Sequence, residues 1–210
     1  MFSVEKISKK ISSSISKELE FDSEKEEVIN YGIFAFIQMF ISIILVGIIG
    51  IILGVFKEAL LISFVTAILR KSSGGVHAGT PGSCNIIGTI ASIVMGLVAK
   101  FIKVNIDEVT LLGGITFFIA YIAIYRLAPV DSITKPINSI AKRKRLKRSS
   151  LIIISIYFAI VVLNIGCFLV FDKIVFIKYT ICIYLGVLWQ VFSLTQMGHF
   201  ILKKLDGLIS

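Results

Sequence analysis

The chain has 210 residues, 56% of them hydrophobic and 17% charged, with a mean hydropathy of +0.94 and a formal net charge of +9. So little polarity at this length excludes an ordinary soluble domain. The densest basic run is short and carries no interleaved aromatics, so no nucleic-acid partner is expected.

Taken in chain order, Met1 to Leu19 sets Val4, Ile7, Ile11, Ile15 and Leu19 three or four residues apart, with Lys6, Lys9, Lys10 and Lys17 elsewhere on the turn. That spacing predicts an amphipathic helix in residues 1–28, lying in the headgroup plane of a bilayer. Residues 1–30 are charged and the apolar run that follows is long, so no cleavable signal peptide is expected. Tyr31–Phe56 is 26 residues without a charge and Ser149–Phe171 is 23. About 20 apolar residues suffice to cross the hydrocarbon core. Val109–Tyr125 (17 residues) and Tyr179–Ile201 (23) give two further candidates. Ala59–Leu69 and Ile86–Ala99 are shorter, at 11 and 14 residues, and read as tilted, extended or re-entrant segments. The expected fold is all-α and polytopic. It has four to six transmembrane helices, two of them short enough to be re-entrant, in one membrane domain spanning 1–210.

If all six segments cross with the N-terminus inside, 17 basic residues fall on the cytoplasmic side and five outside. The positive-inside bias then places both termini, and the segment after the second crossing, in the cytoplasm of the cell-membrane protein.

That segment reads Arg70-Lys-Ser-Ser-Gly-Gly-Val-His-Ala-Gly-Thr-Pro-Gly-Ser-Cys84, small and polar between apolar flanks. His77 and Cys84 on one Gly-rich stretch (70–85) supply the minimum for thiolate chemistry: the imidazole manages the proton and the sulfur attacks. The alternative is a Gly-rich loop with two incidental residues, since spacing alone does not decide. Arg70 either pairs with a substrate carboxylate or marks the cytoplasmic end of the second segment. Cys84 stands where an apolar segment begins, so a helix N-terminus there would stabilise a thiolate and offer N–H groups to an oxyanion. Cys167 and Cys182 lie inside apolar segments and read as packing residues. No metal site is expected, because two ligands lack a second Cys/His pair and His199 is remote; no cofactor is expected either. Glu58 reads as an interfacial anchor.

Residues 126–150 read as a strongly basic cytoplasmic loop, in which Lys142, Arg143, Lys144, Arg145, Lys147 and Arg148 put six positive charges in seven residues. They serve topology and anionic lipid, or they capture an acidic peptide. Asp131 is the candidate to orient His77 or to bind substrate; otherwise it is a turn carboxylate paired with Lys135.

Arg70-x3-Gly74-Gly75-x-His77-Ala78-x5-Cys84 resembles the signature of the accessory gene regulator protein B (AgrB) family of membrane cysteine endopeptidases. Tyr125-Arg-Leu-Ala-Pro-Val-Asp-Ser-Ile-Thr-Lys-Pro-Ile137 resembles that family as well. The resemblance implies processing of a quorum-sensing propeptide with an amphipathic leader, a central signal segment and an acidic tail. It implies a Cys84–His77 pair that forms a thioester and promotes thiolactone or lactone closure, and a homodimer; Arg70, Gly75, Asp131, Lys135 and the six basic residues from Lys142 to Arg148 are the candidate substrate contacts. The alternative class is a small transporter or channel with a re-entrant Gly-rich loop. The long runs carry no mid-segment charge, which a translocation path often needs.

Overall fold

The structure, a computed structural model, describes residues 4–75, 81–131 and 139–209. Among the described residues eight helices follow one another: α1 (Val4–Glu18), α2 (Ser23–Ile52), α3 (Phe56–Ser73), α4 (Pro81–Phe101), α5 (Ile106–Leu127), α6 (Ile140–Phe171), α7 (Ile174–Leu194) and α8 (Gln196–Ile209). Among the described residues there is no strand, and one isolated bridge joins Gly74 to Val130. The chain forms two compact units, Met1–Leu45 and Val46–Ser210, so α2 contributes to both.

In the first unit, Ile7, Ile11 and Ile15 of α1 and Leu19 just past its end are exposed as one stripe, while Ser8, Ser12 and Ser16 are buried. The serines lose little by burial, because Ser8 and Ser12 return their hydroxyls to the carbonyls of Glu5 and Lys9 at 3.1 and 3.0 Å. An outward apolar stripe beside lysines is the geometry of an interfacial helix. The Asp22 carboxylate accepts from Lys25 N–H at 2.8 Å and so satisfies one orphan donor at the start of α2.

The second unit is arranged around α7. Twelve residues of α7 are buried, from Ile177 to Leu194, and α3, α4, α5, α6 and α8 all pack on it. Small residues set the closest crossing: a Cβ on Gly186 would come within 2.8 Å of Val65 Cγ1 on α3, and Thr66 donates to the Gly186 carbonyl at 3.2 Å. Tyr157 of α6 donates to Val65 O at 3.0 Å, and Tyr184 of α7 donates to Val109 O at 3.1 Å. Close backbones and interhelical hydrogen bonds are what hold helices together where lipid removes the hydrophobic drive between them. Outside this centre the large apolar side chains face away, Phe118 at 69% and Val170 at 75% exposure among them. An apolar exterior of that extent requires a lipid neighbour.

Among the described residues five helices are long and apolar enough to cross a membrane: α2, α4 from Gly82, α5, α6 and α7. The protein is an all-α polytopic membrane protein. The short apolar segments are longer as helices than as apolar runs. Ala59–Leu69 sits inside the 18-residue α3, whose ends carry Glu58 and Arg70–Lys71, each charge on the side the helix dipole favours. Ile86–Ala99 sits inside the 21-residue α4, lengthened by Pro81 in its first turn and by small polar residues. The last apolar run is broken at Thr195, whose backbone is extended and whose hydroxyl accepts from Gly198 N–H at 3.0 Å, starting α8. The basic run forms the first turns of α6, begun by Ser139 as N-cap.

Candidate active site

Three helix ends meet at the Gly-rich stretch. α3 closes when Gly74 N–H bonds to Arg70 O at 3.0 Å, and the chain leaves it with Gly74 at φ 70°, ψ −148° and Gly75 at φ 132°. Both angles lie where an L side chain is strained, which is why glycines stand there. The segment after α5 runs alongside: Val130 N–H bonds to Ser73 O at 3.0 Å, next to the Gly74–Val130 bridge. A Cβ on Gly74 would collide with the Val130 carbonyl oxygen. From α7, Gln190 Nε2 donates to Ser73 Oγ at 2.9 Å and to Gly74 O at 2.7 Å. The two resemblance motifs, far apart in sequence, thus touch at Ser73–Gly74 and Val130.

Cys84 lies in the first turn of α4, partly buried and with a free thiol. The positive end of the α4 dipole lies at that position. Arg70 stands in the last turn of α3. Arg70 and Cys84 interact electrostatically between the end of α3 and the start of α4. His77 falls in 76–80 and Lys135 in 132–138, both outside the described residues.

The partner of Asp131 is Arg143, two residues into the basic run, with Oδ2 to Nη2 at 2.7 Å. Both side chains are about half exposed (41% and 49%), so the pair holds the 128–131 segment to α6 by less than about 1 kcal/mol. Lys147 stacks over the Tyr125 ring at 4.2 Å from its centroid and joins α6 to the end of α5 a second time. Lys142, Lys144, Arg145 and Arg148 share those first turns of α6. Cys182 is fully buried in α7 and Cys167 is partly buried in α6, as expected of packing thiols. Among the described residues no group of His, Cys, Asp and Glu could hold a metal ion. Gln190 and Ser193 escape a reading that looks for charge, yet an amide inside an apolar run was a visible signal.

Comparison with known proteins agrees with the motifs. Residues 8–194 match the family described as Accessory gene regulator B. Two AgrB-like proteins of Clostridium perfringens, from strains SM101 and 13, are each 39% identical over 207 residues, covering 97% of this chain and 97% of the relative. An AgrB-like protein of Listeria monocytogenes is 26% identical over 90% of this chain and 87% of its own length. No solved structure matches the chain. With a match over nearly its whole length and relatives of the same size, the chain belongs to the AgrB family.

Proposed function

We propose that the protein is a membrane cysteine endopeptidase that removes the C-terminal tail of a quorum-sensing propeptide and promotes closure of the signal into a thiolactone or lactone. The observation that carries this reading is Cys84 in the first turn of α4, within electrostatic reach of Arg70 and seven residues after His77. The Cys84 thiolate attacks the carbonyl carbon that joins signal segment to tail, forming a C–S bond, and the α4 N–H groups receive the oxyanion. His77 imidazolium gives its proton to the tail nitrogen as the C–N bond breaks. The tail leaves as an amine and the signal stays as a thioester. A Cys or Ser side chain of the signal then attacks that carbonyl, its proton goes to His77, and the Cys84 thiolate is expelled. Ring closure wins over hydrolysis only where water is kept away, a condition that packing among α3, α4 and α7 favours.

In this reading both termini and the Cys84 end of α4 face the cytoplasm, with α3 as a sixth crossing. An 18-residue helix is about 27 Å long at 1.5 Å per residue, close to the hydrocarbon thickness. The test is mass spectrometry of the purified protein during turnover. Tail release should coincide with an adduct on Cys84 of the mass of leader plus signal, removable by hydroxylamine. Tail release with no acyl adduct on Cys84 would assign the attack to another group. Cys167→Ala and Cys182→Ala should leave cleavage unchanged; loss in either at normal expression would move the nucleophile.

The basic turns of α6 are proposed to attract the acidic tail. Neutralising Lys142, Arg143, Lys144, Arg145, Lys147 and Arg148 should weaken binding of an acidic-tailed propeptide, and a neutral-tailed one much less. Raised salt should act the same way, since screening lengths fall below about 8–10 Å above physiological ionic strength. Nanodiscs of neutral lipid remove the competing attraction to anionic headgroups. An equal fall for both tails there, with topology unchanged, would make the run a membrane anchor.

A further inference from the structure

The amide of Gln190 is fully buried near the end of α7, in a helix otherwise built for apolar packing. Its orientation is fixed by its neighbours. Gly74 O can only accept, so the atom 2.7 Å from it is the amide nitrogen. Ser73 Oγ gives its own hydrogen to Leu69 O at 2.9 Å and is therefore free to accept the second amide hydrogen at 2.9 Å. Both hydrogens of Nε2 are used on Ser73 and Gly74. The amide oxygen is buried with no hydrogen-bond partner. An apolar side chain of this size would avoid that cost, so the nitrogen end is what the site is built around. One turn on, Ser193 donates to Gln190 O at 2.7 Å, and its Oγ lies 2.7 Å from where a Cβ on Gly75 would stand. α7 thereby presents one wall to two consecutive peptides, those of Gly74 and Gly75.

We propose that Gln190 is a positioning residue for catalysis: its amide fixes the Ser73–Gly74 peptide, and so the direction in which the chain leaves α3 toward His77 and Cys84. The inference rests on the reading of Cys84 and His77 as the reacting pair. Gln190 touches no substrate atom; it acts through the backbone that α3 and the Val130 segment share.

The test uses the full-length protein in nanodiscs with its propeptide and reads the single-turnover rate constant of tail release, alongside KM and the thermal midpoint. That rate constant counts competent molecules only, so a smaller folded fraction lowers the amplitude and leaves the rate constant where it was. Gln190→Glu keeps the shape and leaves at most one donor, the O–H of a neutral carboxyl, where the amide had two. Gln190→Met keeps the volume and removes the polarity. Each should lower the rate constant by on the order of 100-fold, the effect of about 1 Å of misplacement, with KM little changed. Ser73→Ala should lower it less, because the bond to Gly74 remains. Combined with Gln190→Met it should add nothing further, as for two parts of one unit. Should Gln190→Met fail to insert, Gln190→Glu decides. A wild-type rate constant in the variant that folds, or a loss confined to amplitude and thermal midpoint, overturns the inference. Cys84→Ala is run in parallel: if it still cleaves, the underlying reading of the reacting pair has failed instead.

Discussion

Cys84→Ala and His77→Ala should each abolish release of the propeptide tail while leaving the protein inserted and folded. Without the sulfur there is no nucleophile and no thioester, so both cleavage and ring closure stop. Without the imidazole the departing amine has no proton donor; general acid–base assistance is worth about 10²–10⁴-fold, so His77→Ala should retain at most a trace. The double variant should be no worse than Cys84→Ala alone, because the two groups act on one step. Cys84→Ser should also be close to inactive, since an alcohol at neutral pH is a far weaker nucleophile than a thiol and its ester would be a poorer substrate for ring closure. The expectation stands on the shared Gly-rich stretch and on the site of Cys84 at the start of α4, near Arg70. Mass spectrometry of propeptide incubated with each purified variant checks it. Full cleavage by Cys84→Ala would end the cysteine-peptidase reading.

The fold was legible where chemistry is monotonous. Tyr31–Phe56 and Ser149–Phe171 carry no charge over more than a membrane thickness, and such a run has few alternatives to a crossing helix. Where polar residues continue a helix, an apolar count stops too soon. Lys57, Glu58 and Arg70–Ser73 belong to α3, and Gly82–Asn85 to α4, because small or long-stemmed polar residues sit comfortably at helix ends near headgroups. The break at Thr195 was hidden for the opposite reason: Thr195 and Gly198 are uncharged and do not interrupt a hydropathy count, though a hydroxyl followed three residues later by glycine is cap chemistry. The basic run reads as a loop by charge, yet Lys and Arg are good helix formers and Ser139 gives them a start.

The candidate site divides along the same line. Cys84 at a helix start follows from a thiol placed just ahead of an apolar segment. The contact of Gly74 with Val130, the pairing of Asp131 with Arg143 and the grip of Gln190 on Ser73 span 12 to 117 residues of sequence. Such pairings are made by tertiary packing, and nothing in local spacing encodes them.

Gly74→Ala should remove most activity and lower stability, and the reason is backbone geometry rather than lost side-chain chemistry. At φ 70°, ψ −148° Gly74 occupies a region that is nearly glycine-only and costs a side-chain-bearing residue about 1–3 kcal/mol. The new Cβ would also meet the Val130 carbonyl oxygen, which belongs to backbone and cannot rotate away. Relief requires the two segments to part. That breaks the Val130–Ser73 hydrogen bond and pulls Gly74 O from Gln190. Gly75→Ala is strained too, at φ 132°, but its nearest obstacle is the Ser193 hydroxyl at 2.7 Å. Ser193→Ala in the same chain should therefore recover part of the loss at Gly75 and none of it at Gly74. Gly166→Ala is the control: nothing lies within 4 Å of its Cβ position in α6, and removing a mid-helix glycine should leave cleavage intact with stability equal or higher by about 0.5–1 kcal/mol. Thermal midpoints and tail-release rates of the five variants, the two Ser193→Ala combinations included, are the measurements. Wild-type cleavage by Gly74→Ala would show that the approach of Val130 to the end of α3 does not position the reacting groups.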